Sequence, residues 1–242
     1  MIDLHCHILP HLDDGARSKE ETLSMLQIAV ESGIEAIIAT PHCEHGGWEE
    51  ARTIYERVSR DIHERHIPLK LYLGMEIFAT EKTVDLLREG QLLTLNNSRY
   101  PLVEFDFLSD GQDETEILAQ LIQAGYRPLI AHPERYIFLQ RHPELMNHWW
   151  QMGCLFQINR GSLHGRFGLD AQQMSLAMID RGFATVVASD AHSCVRRTPW
   201  LEQVRHLISR EFSPNTALHL LERNPAKILN NEDLNQMEPH WF

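Results

Sequence analysis

The sequence predicts an α/β chain folded as a parallel (β/α)7 barrel, and three observations lead there. Seven short apolar runs, each the length of a buried strand, alternate with amphipathic stretches of helical period. Side chains of metal-binding type stand just past the C-terminal ends of nearly all these runs, and in a parallel barrel those ends open on one face. The fingerprint G-x-G-x-x-G, which would favour an open doubly wound sheet as the alternative, is absent.

In chain order, the apolar runs are 2–5, 34–40, 69–75, 100–105, 127–131, 154–158 and 184–188. Between them lie the expected helices. The first opens at Ser18-Lys-Glu-Glu21, which has the spacing of a capping box, and runs towards Ser32. The others are expected over 48–66, 81–89, 114–124, 143–152, 171–181 and 200–209. Gly33, Gly125, Gly153 and Gly182 stand where a helix should end before the next strand.

A chain of 242 residues suits one barrel-sized domain, read as residues 1–242. Hydrophobic residues make up 43 % and charged residues 23 %, enough apolar material for a sizeable core. No stretch approaches a membrane span, and the N-terminus lacks a basic segment followed by a long apolar one, so a cytoplasmic protein without membrane insertion is expected. The net charge of −12 argues against a nucleic-acid partner, because it would repel the phosphate backbone. Four cysteines without C-x-x-C spacing give no structural zinc site.

The strand ends carry the chemistry. Asp3-Leu-His5-Cys-His7 sets two imidazoles at i and i+2, on one side of a strand, with Cys6 facing away. The later ends are Ala39-Thr-Pro-His42, Gly74-Met-Glu76, Glu104-Phe-Asp106, Ala131-His132 and Ser189-Asp190-Ala-His192. A single H-x-H motif is weak. Six such ends converging on one barrel face would bury many polar groups together, and metal ions pair them at least cost. Imidazole and carboxylate without thiolate suit Mn²⁺, Fe²⁺ or Zn²⁺ alike.

With these motifs in place, D-x-H-x-H, Asp13-Asp14-Gly15, T-P-H, G-x-E-I, A-H-P-E-R-Y and S-D-A-H, the chain resembles the PHP (polymerase and histidinol phosphatase) superfamily. More narrowly it is similar to the protein-tyrosine phosphatases of capsular and extracellular polysaccharide operons, from Met1 to about Asn230 and including Asn224-Pro-Ala-Lys-Ile-Leu. The resemblance implies a distorted (β/α)7 TIM-like barrel with three divalent ions, usually Mn²⁺. Position by position, it implies that His5, His7, Glu76 and Asp190 hold one ion. Glu76, Glu104 and His132 would hold a second; Asp14, His42 and His192 would hold a third, with Asp13 as the competing choice beside Asp14. Arg135 and Arg197 fall where the family places arginines that hold phosphate. Five neutral imidazoles and four carboxylates leave a trinuclear site net positive, which suits a phosphomonoester dianion. A metal-bound hydroxide would attack phosphorus in line. The implied substrate is a phosphotyrosine protein, a bacterial tyrosine kinase that regulates capsular or exopolysaccharide synthesis. The alternative is a small-molecule phosphatase such as a histidinol-phosphate phosphatase, with the same metals and a smaller, closed pocket. The sequence leaves the oligomeric state open.

Other signals carry less. Cys154-Leu-Phe-Gln-Ile-Asn-Arg160 matches C-x5-R, the pattern of cysteine-dependent phosphatases. Its intervening residues read as a buried strand, whereas a phosphate loop needs small residues whose N–H groups can face the anion, so the nucleophile reading is set aside. Asn159-Arg160-Gly161-Ser162, just past that strand, is expected to be an active-site loop. His11 and His45 are read as solvated loop residues, and Asp106 as either supporting the site or simply hydrogen-bonded.

Overall fold

The computed structural model describes residues 1–43, 47–234 and 238–242. Every strand pairing in it is parallel. β1 (Ile2–Cys6), β2 (Ala36–Ala39) and β3 (Lys70–Leu73) form one sheet in that order. β4 (Glu76–Phe78), β5 (Leu102–Glu104), β6 (Leu129–Ala131), β7 (Leu155–Asn159) and β8 (Val186–Ala188) form a second.

Two junctions join these sheets into a distorted barrel. Past β8, Asp190 N–H donates to the His5 carbonyl at 2.9 Å and His7 N–H to the Ala191 carbonyl at 2.8 Å, with a bridge pairing Cys6 and Ala191. At the other junction the run expected over 69–75 yields only β3, and β4, an eighth strand not expected, begins just past its end. Gly74 N–H still reaches the Ala39 carbonyl at 2.8 Å, and the chain then crosses to β5. The bend needs glycine: a Cβ at position 74 would lie 3.0 Å from Leu95 Cδ2 and 3.1 Å from Ile38 Cγ2. Its product is Glu76, delivered at the first residue of β4.

The helices alternate with the strands as expected. α1 (Lys19–Glu31) starts at Ser18, whose Oγ accepts from Glu21 N–H at 3.2 Å, while Glu21 Oε2 reaches back to Arg17 N–H at 2.9 Å. α2 (Trp48–Glu64), α3 (Thr83–Arg88) and α4 (Gln112–Gln123) follow. After them come α5 (Ile137–Arg141), α6 (Glu144–Met152), α7 (Arg160–Leu163), α8 (Leu169–Asp180) and α9 (Glu202–Glu211). α10 (Pro214–Leu218) runs through a π-type turn into α11 (Asn224–Leu229). The four helix-ending glycines all take positive φ. α5, α7, α10 and α11 were not expected; each is four to six residues long, too short for a helical period to declare itself. Among the described residues, no helix is long and apolar enough to cross a membrane.

The pleat sorts side chains into two cores. Leu4, Ile38, Leu102, Leu129, Leu155 and Val186 point inward and close the barrel floor with Leu95, Tyr100 and Ile228. Ile37, Val103, Ile130, Phe156, Ile158 and Val187 point outward beneath the helices. Inward positions two residues further along each strand are where polarity begins: Glu104 above Leu102, and Gln157 and Asn159 above Leu155. β1 departs from strict alternation. Its register against β2 shifts between Asp3 and Cys6, so Leu4 lies in the floor and His5 and His7 still face the barrel mouth.

Candidate metal centre

All nine residues expected as ligands, and both arginines, gather at the C-terminal mouth of the barrel. His5 Nε2 and His7 Nε2 lie 3.2 Å apart. Both face Glu76 Oε2, at 2.9 and 3.0 Å, and Asp190 Oδ1, at 3.4 and 3.6 Å. These four residues form one group of mutually close donor atoms. His132 Nε2 lies 2.8 Å from Glu76 Oε1 and 3.8 Å from Glu104 Oε2, so Glu76 faces both sides. His42 meets Glu76 Oε2 at 3.4 Å and Glu104 Oε1 at 3.3 Å, and groups with His7 and Asp14 as well. His192 Nε2 lies 3.2 Å from Asp14 Oδ1.

The imidazoles are held from behind. His5 Nδ1 donates to Gln157 Oε1 at 2.9 Å, and an amide oxygen can only accept. His7 Nδ1 donates to Asp13 Oδ2 at 2.6 Å, and His192 Nδ1 to the Asp190 carbonyl at 3.0 Å. Each bond places the ring proton on Nδ1 and aims a bare Nε2 lone pair into the cluster. Lone pairs and carboxylate oxygens converging at these distances repel one another unless cations lie among them. The donor set therefore fits divalent metal ions. Without cations, protons supply the positive charge. Burial works to lower the His7 pKa, but hydrogen bonds to Asp13 and Glu76 outweigh it and push it up to about 10. His5 also rises, because Glu76 and Asp190 outweigh its burial. Burial and the adjacent Glu76 charge push Glu104 up to about 8. Burial opposes the ionised form of Asp190, yet His5 and Arg197 hold its pKa below the usual carboxylate value.

Asp13 and Asp14 take different places. Asp13 is turned away from the cluster: its carboxylate accepts from His7 Nδ1, from His42 N–H at 2.9 Å and from Gly15 N–H at 2.9 Å. Asp14 faces His192 and the donor group. Asp13→Asn should therefore leave the fold intact and weaken metal retention by about 10- to 100-fold, as losing an outer hydrogen bond to a ligand does. Chelator competition measures this; unchanged retention would leave Asp13 without that role.

Asp190 also receives the arginines, with Arg197 Nη2 2.5 Å and Arg135 Nη1 3.6 Å from its Oδ2. Asn159 Nδ2 donates to the same oxygen. His132 and Asp190 both have positive φ, 35° and 49°, a strained backbone that directs their side chains into the mouth. Three supporting residues escaped the sequence reading. Gln157 is one; a polar residue at an inward position of an apolar run was its signal. Glu134 accepts from Asn159 N–H at 2.9 Å and Ser162 Oγ at 2.5 Å, tying the 159–163 turn to β6. Tyr136 donates to the Ala131 carbonyl at 2.9 Å. Both follow His132 in A-H-P-E-R-Y, but nothing in that motif says which neighbour anchors what.

The remaining sequence candidates lie apart. His11 is exposed, and His45 lies outside the described residues. Asp106 is exposed and accepts from Leu108 N–H at 2.9 Å, so it caps a turn rather than joining the cluster. Cys154 is buried, burial pushes its thiol pKa up to about 12, and Arg160 donates to the Thr198 carbonyl. Cys154→Ser should keep most of any hydrolytic activity; a drop of several orders of magnitude with intact folding would restore the cysteine reading.

The comparisons with known proteins agree with this geometry. The family model for capsular polysaccharide synthesis, CpsB/CapC, matches residues 1–230. The chain is 33 % identical to the tyrosine-protein phosphatase YwqE of Bacillus subtilis, covering 99 % of this chain and 95 % of that one. It is 30 % identical to the tyrosine-protein phosphatase CpsB of Streptococcus agalactiae serotype V, covering 96 % and 99 %. A solved structure from work on YwqE of Bacillus subtilis and CpsB of Streptococcus pneumoniae, described as unique metal-dependent tyrosine phosphatases, superposes with a TM-score of 0.94 at 33 % identity. That match covers 100 % of this chain and 99 % of the other. Histidinol phosphate phosphatase from Lactococcus lactis shares the fold, at a TM-score of 0.55 and 14 % identity over 86 % and 92 % of the two chains.

Proposed function

This chain belongs to the CpsB/CapC family of capsular polysaccharide synthesis, and on that premise we propose that it is a cytoplasmic, metal-dependent protein-tyrosine phosphatase. Its substrate on this reading is a phosphotyrosine protein, a tyrosine kinase that regulates polysaccharide synthesis. The observation that carries it is the pair of guanidiniums, Arg135 and Arg197, meeting at Asp190 beside seven grouped His and carboxylate side chains that His132 and His192 flank.

His5, His7, Glu76 and Asp190 would hold one ion, Glu76, Glu104 and His132 a second, and Asp14, His42 and His192 a third. Bound divalent ions, Mn²⁺ on this reading, supply Lewis-acid charge and an acidified water as nucleophile. Gln157, Asp13 and the Asp190 carbonyl fix the imidazole tautomers. Arg135 and Arg197 turn from Asp190 to the phosphate and take up charge on its equatorial oxygens, in the two-point geometry that guanidinium offers. A tyrosyl leaving group, with a phenol pKa of about 10, departs with little help from an acid. The mouth is open: the Asp14 and His42 side chains are 66 % and 37 % exposed. That supports a phosphate presented on a protein over a small molecule enclosed in a pocket.

The test is a rate comparison on metal-reconstituted protein with phosphotyrosyl peptide, phosphoseryl peptide and histidinol phosphate side by side. Preference for phosphotyrosine is expected. Preference for histidinol phosphate would replace the substrate assignment, and no hydrolysis of any of them would remove the activity.

A further inference from the structure

The loop between α7 and α8 sets an aromatic ring beside both arginines. Arg135 Cζ lies 4.2 Å from the centroid of the Phe167 ring, and Arg197 Cζ lies 5.9 Å from it. The ring also rests on the backbone of α7, since a Cβ at Gly161 would fall 2.5 Å from Phe167 Cε2 and 3.2 Å from its Cζ. Arg135 has a second aromatic contact, 4.6 Å from the centroid of Phe107. Phe107 in turn stacks on His132, with centroids 5.6 Å apart and 22° between the rings. A continuous stack thus runs His132, Phe107, Arg135, Phe167, with Arg197 at its far end.

This ring is not core packing. Phe167 is half-buried and belongs to neither hydrophobic cluster. Its loop is bounded by Gly165 and Gly168, both at positive φ, which turn the chain so that the ring lies back over Gly161. The arginines need such support. Among the described residues, each has one ion-pair partner, and it is the same carboxylate, Asp190. Arg197 Nε is buried with no hydrogen-bond partner. If both guanidiniums leave Asp190 for a phosphate, no other carboxylate among the described residues holds them, and two like charges must approach one anion. An aromatic face attracts each cation and is indifferent to which oxygen the guanidinium bonds.

We propose that Phe167 is a positioning residue: it holds Arg135 and Arg197 in the arrangement that receives the phosphate, and Gly161 is glycine so that the ring can lie there. The inference rests on the reading that these arginines bind phosphate. It makes Phe167 a determinant of phosphate affinity without touching phosphate itself.

The experiment compares Phe167→Leu, Phe167→Tyr and Gly161→Ala in the metal-loaded protein, with Phe167→Leu also placed on an Arg135→Ala background. Orthophosphate binding by calorimetry, kcat and KM on an aryl phosphate, metal content and Tm are read on the same preparations. Phe167→Leu keeps the bulk but loses the ring. It should weaken orthophosphate binding by about tenfold, within the range of a partly desolvated cation–π contact, and raise KM in step, with metal content and Tm unchanged. Phe167→Tyr should stay near wild type, and Gly161→Ala, whose Cβ displaces the ring and also crowds Asn159 Oδ1 at 3.1 Å, should lose at least as much as Phe167→Leu. On the Arg135→Ala background, Phe167→Leu should cost less than it does in the wild type, because only the longer Arg197 contact is left to lose. Wild-type phosphate affinity in Phe167→Leu, equal losses for leucine and tyrosine, or losses fully additive with Arg135→Ala would each overturn the positioning role alone. A wild-type protein that binds no orthophosphate, or an Arg135→Ala variant that binds it normally, would overturn the phosphate reading of the arginines as well.

Discussion

Replacing Asp190 by alanine is expected to lower kcat/KM by about 10³-fold or more, about 4 kcal/mol of transition-state stabilisation, and to deplete bound metal. Among the described residues, no other side chain at the mouth makes as many polar contacts. Its Oδ1 faces His5, His7 and His192, and its Oδ2 receives Arg197, Arg135 and Asn159. It is buried and held ionised by His5 and Arg197, so its removal takes a full negative charge from the donor set and leaves two guanidiniums without an ion-pair partner. Asp190→Asn separates charge from shape. Asparagine tolerates the positive φ at this position and nearly preserves volume, so its Tm should stay close to wild type while metal content and rate fall. Metal analysis, thermal melting and kinetics on the same preparations check this. A well-folded Asp190→Ala protein with full metal content and a wild-type rate would remove Asp190 from the centre.

Arg135→Ala and Arg197→Ala are expected to keep metal content and fold while losing about 10²-fold or more in kcat/KM, about 2.7 kcal/mol. Both guanidiniums reach the oxygen of Asp190 that faces away from the imidazoles, so they sit over the cluster without belonging to its donor set. Lysine at either position should recover only part of the loss, since an ammonium offers a point charge in place of a planar fork. Wild-type rates in both alanine variants would take the arginines out of the reaction. Metal loss in step with activity would make them structural, acting through Asp190.

Much of this site was legible because strand periodicity is simple. His5 with His7, and Asp190 with His192, are two residues apart at strand ends, where the pleat turns both to one side. Glu76 and His132 each follow an apolar run directly, and Glu104 stands near the end of one. What stayed hidden depends on contacts between distant segments. Asp13 and Asp14 are adjacent carboxylates of one type; only the turn that brings Ala16 N–H to the His7 carbonyl at 3.1 Å puts one behind His7 and the other before His192. Gln157 read as part of a buried strand, and Phe167 as nothing in particular, until β7 met β1 and the loop folded over Gly161.

The sequence by itself determined the alternation of strands and helices, the polar residues at each strand's C-terminal end, and the donor chemistry of imidazole and carboxylate. These follow from short-range rules, the pleat, the helical repeat and the helix caps, which act within a few residues. Tertiary structure decided the bend at Gly74 between β3 and β4, the closure of β8 onto β1, the different placing of the two aspartates and the aromatic contacts of the arginines. Each of those is settled by atoms packed within a few ångströms of one another from segments up to 186 residues apart, as in the hydrogen bond from Ser189 N–H to Asp3 Oδ1, and local pattern carries no record of such pairings.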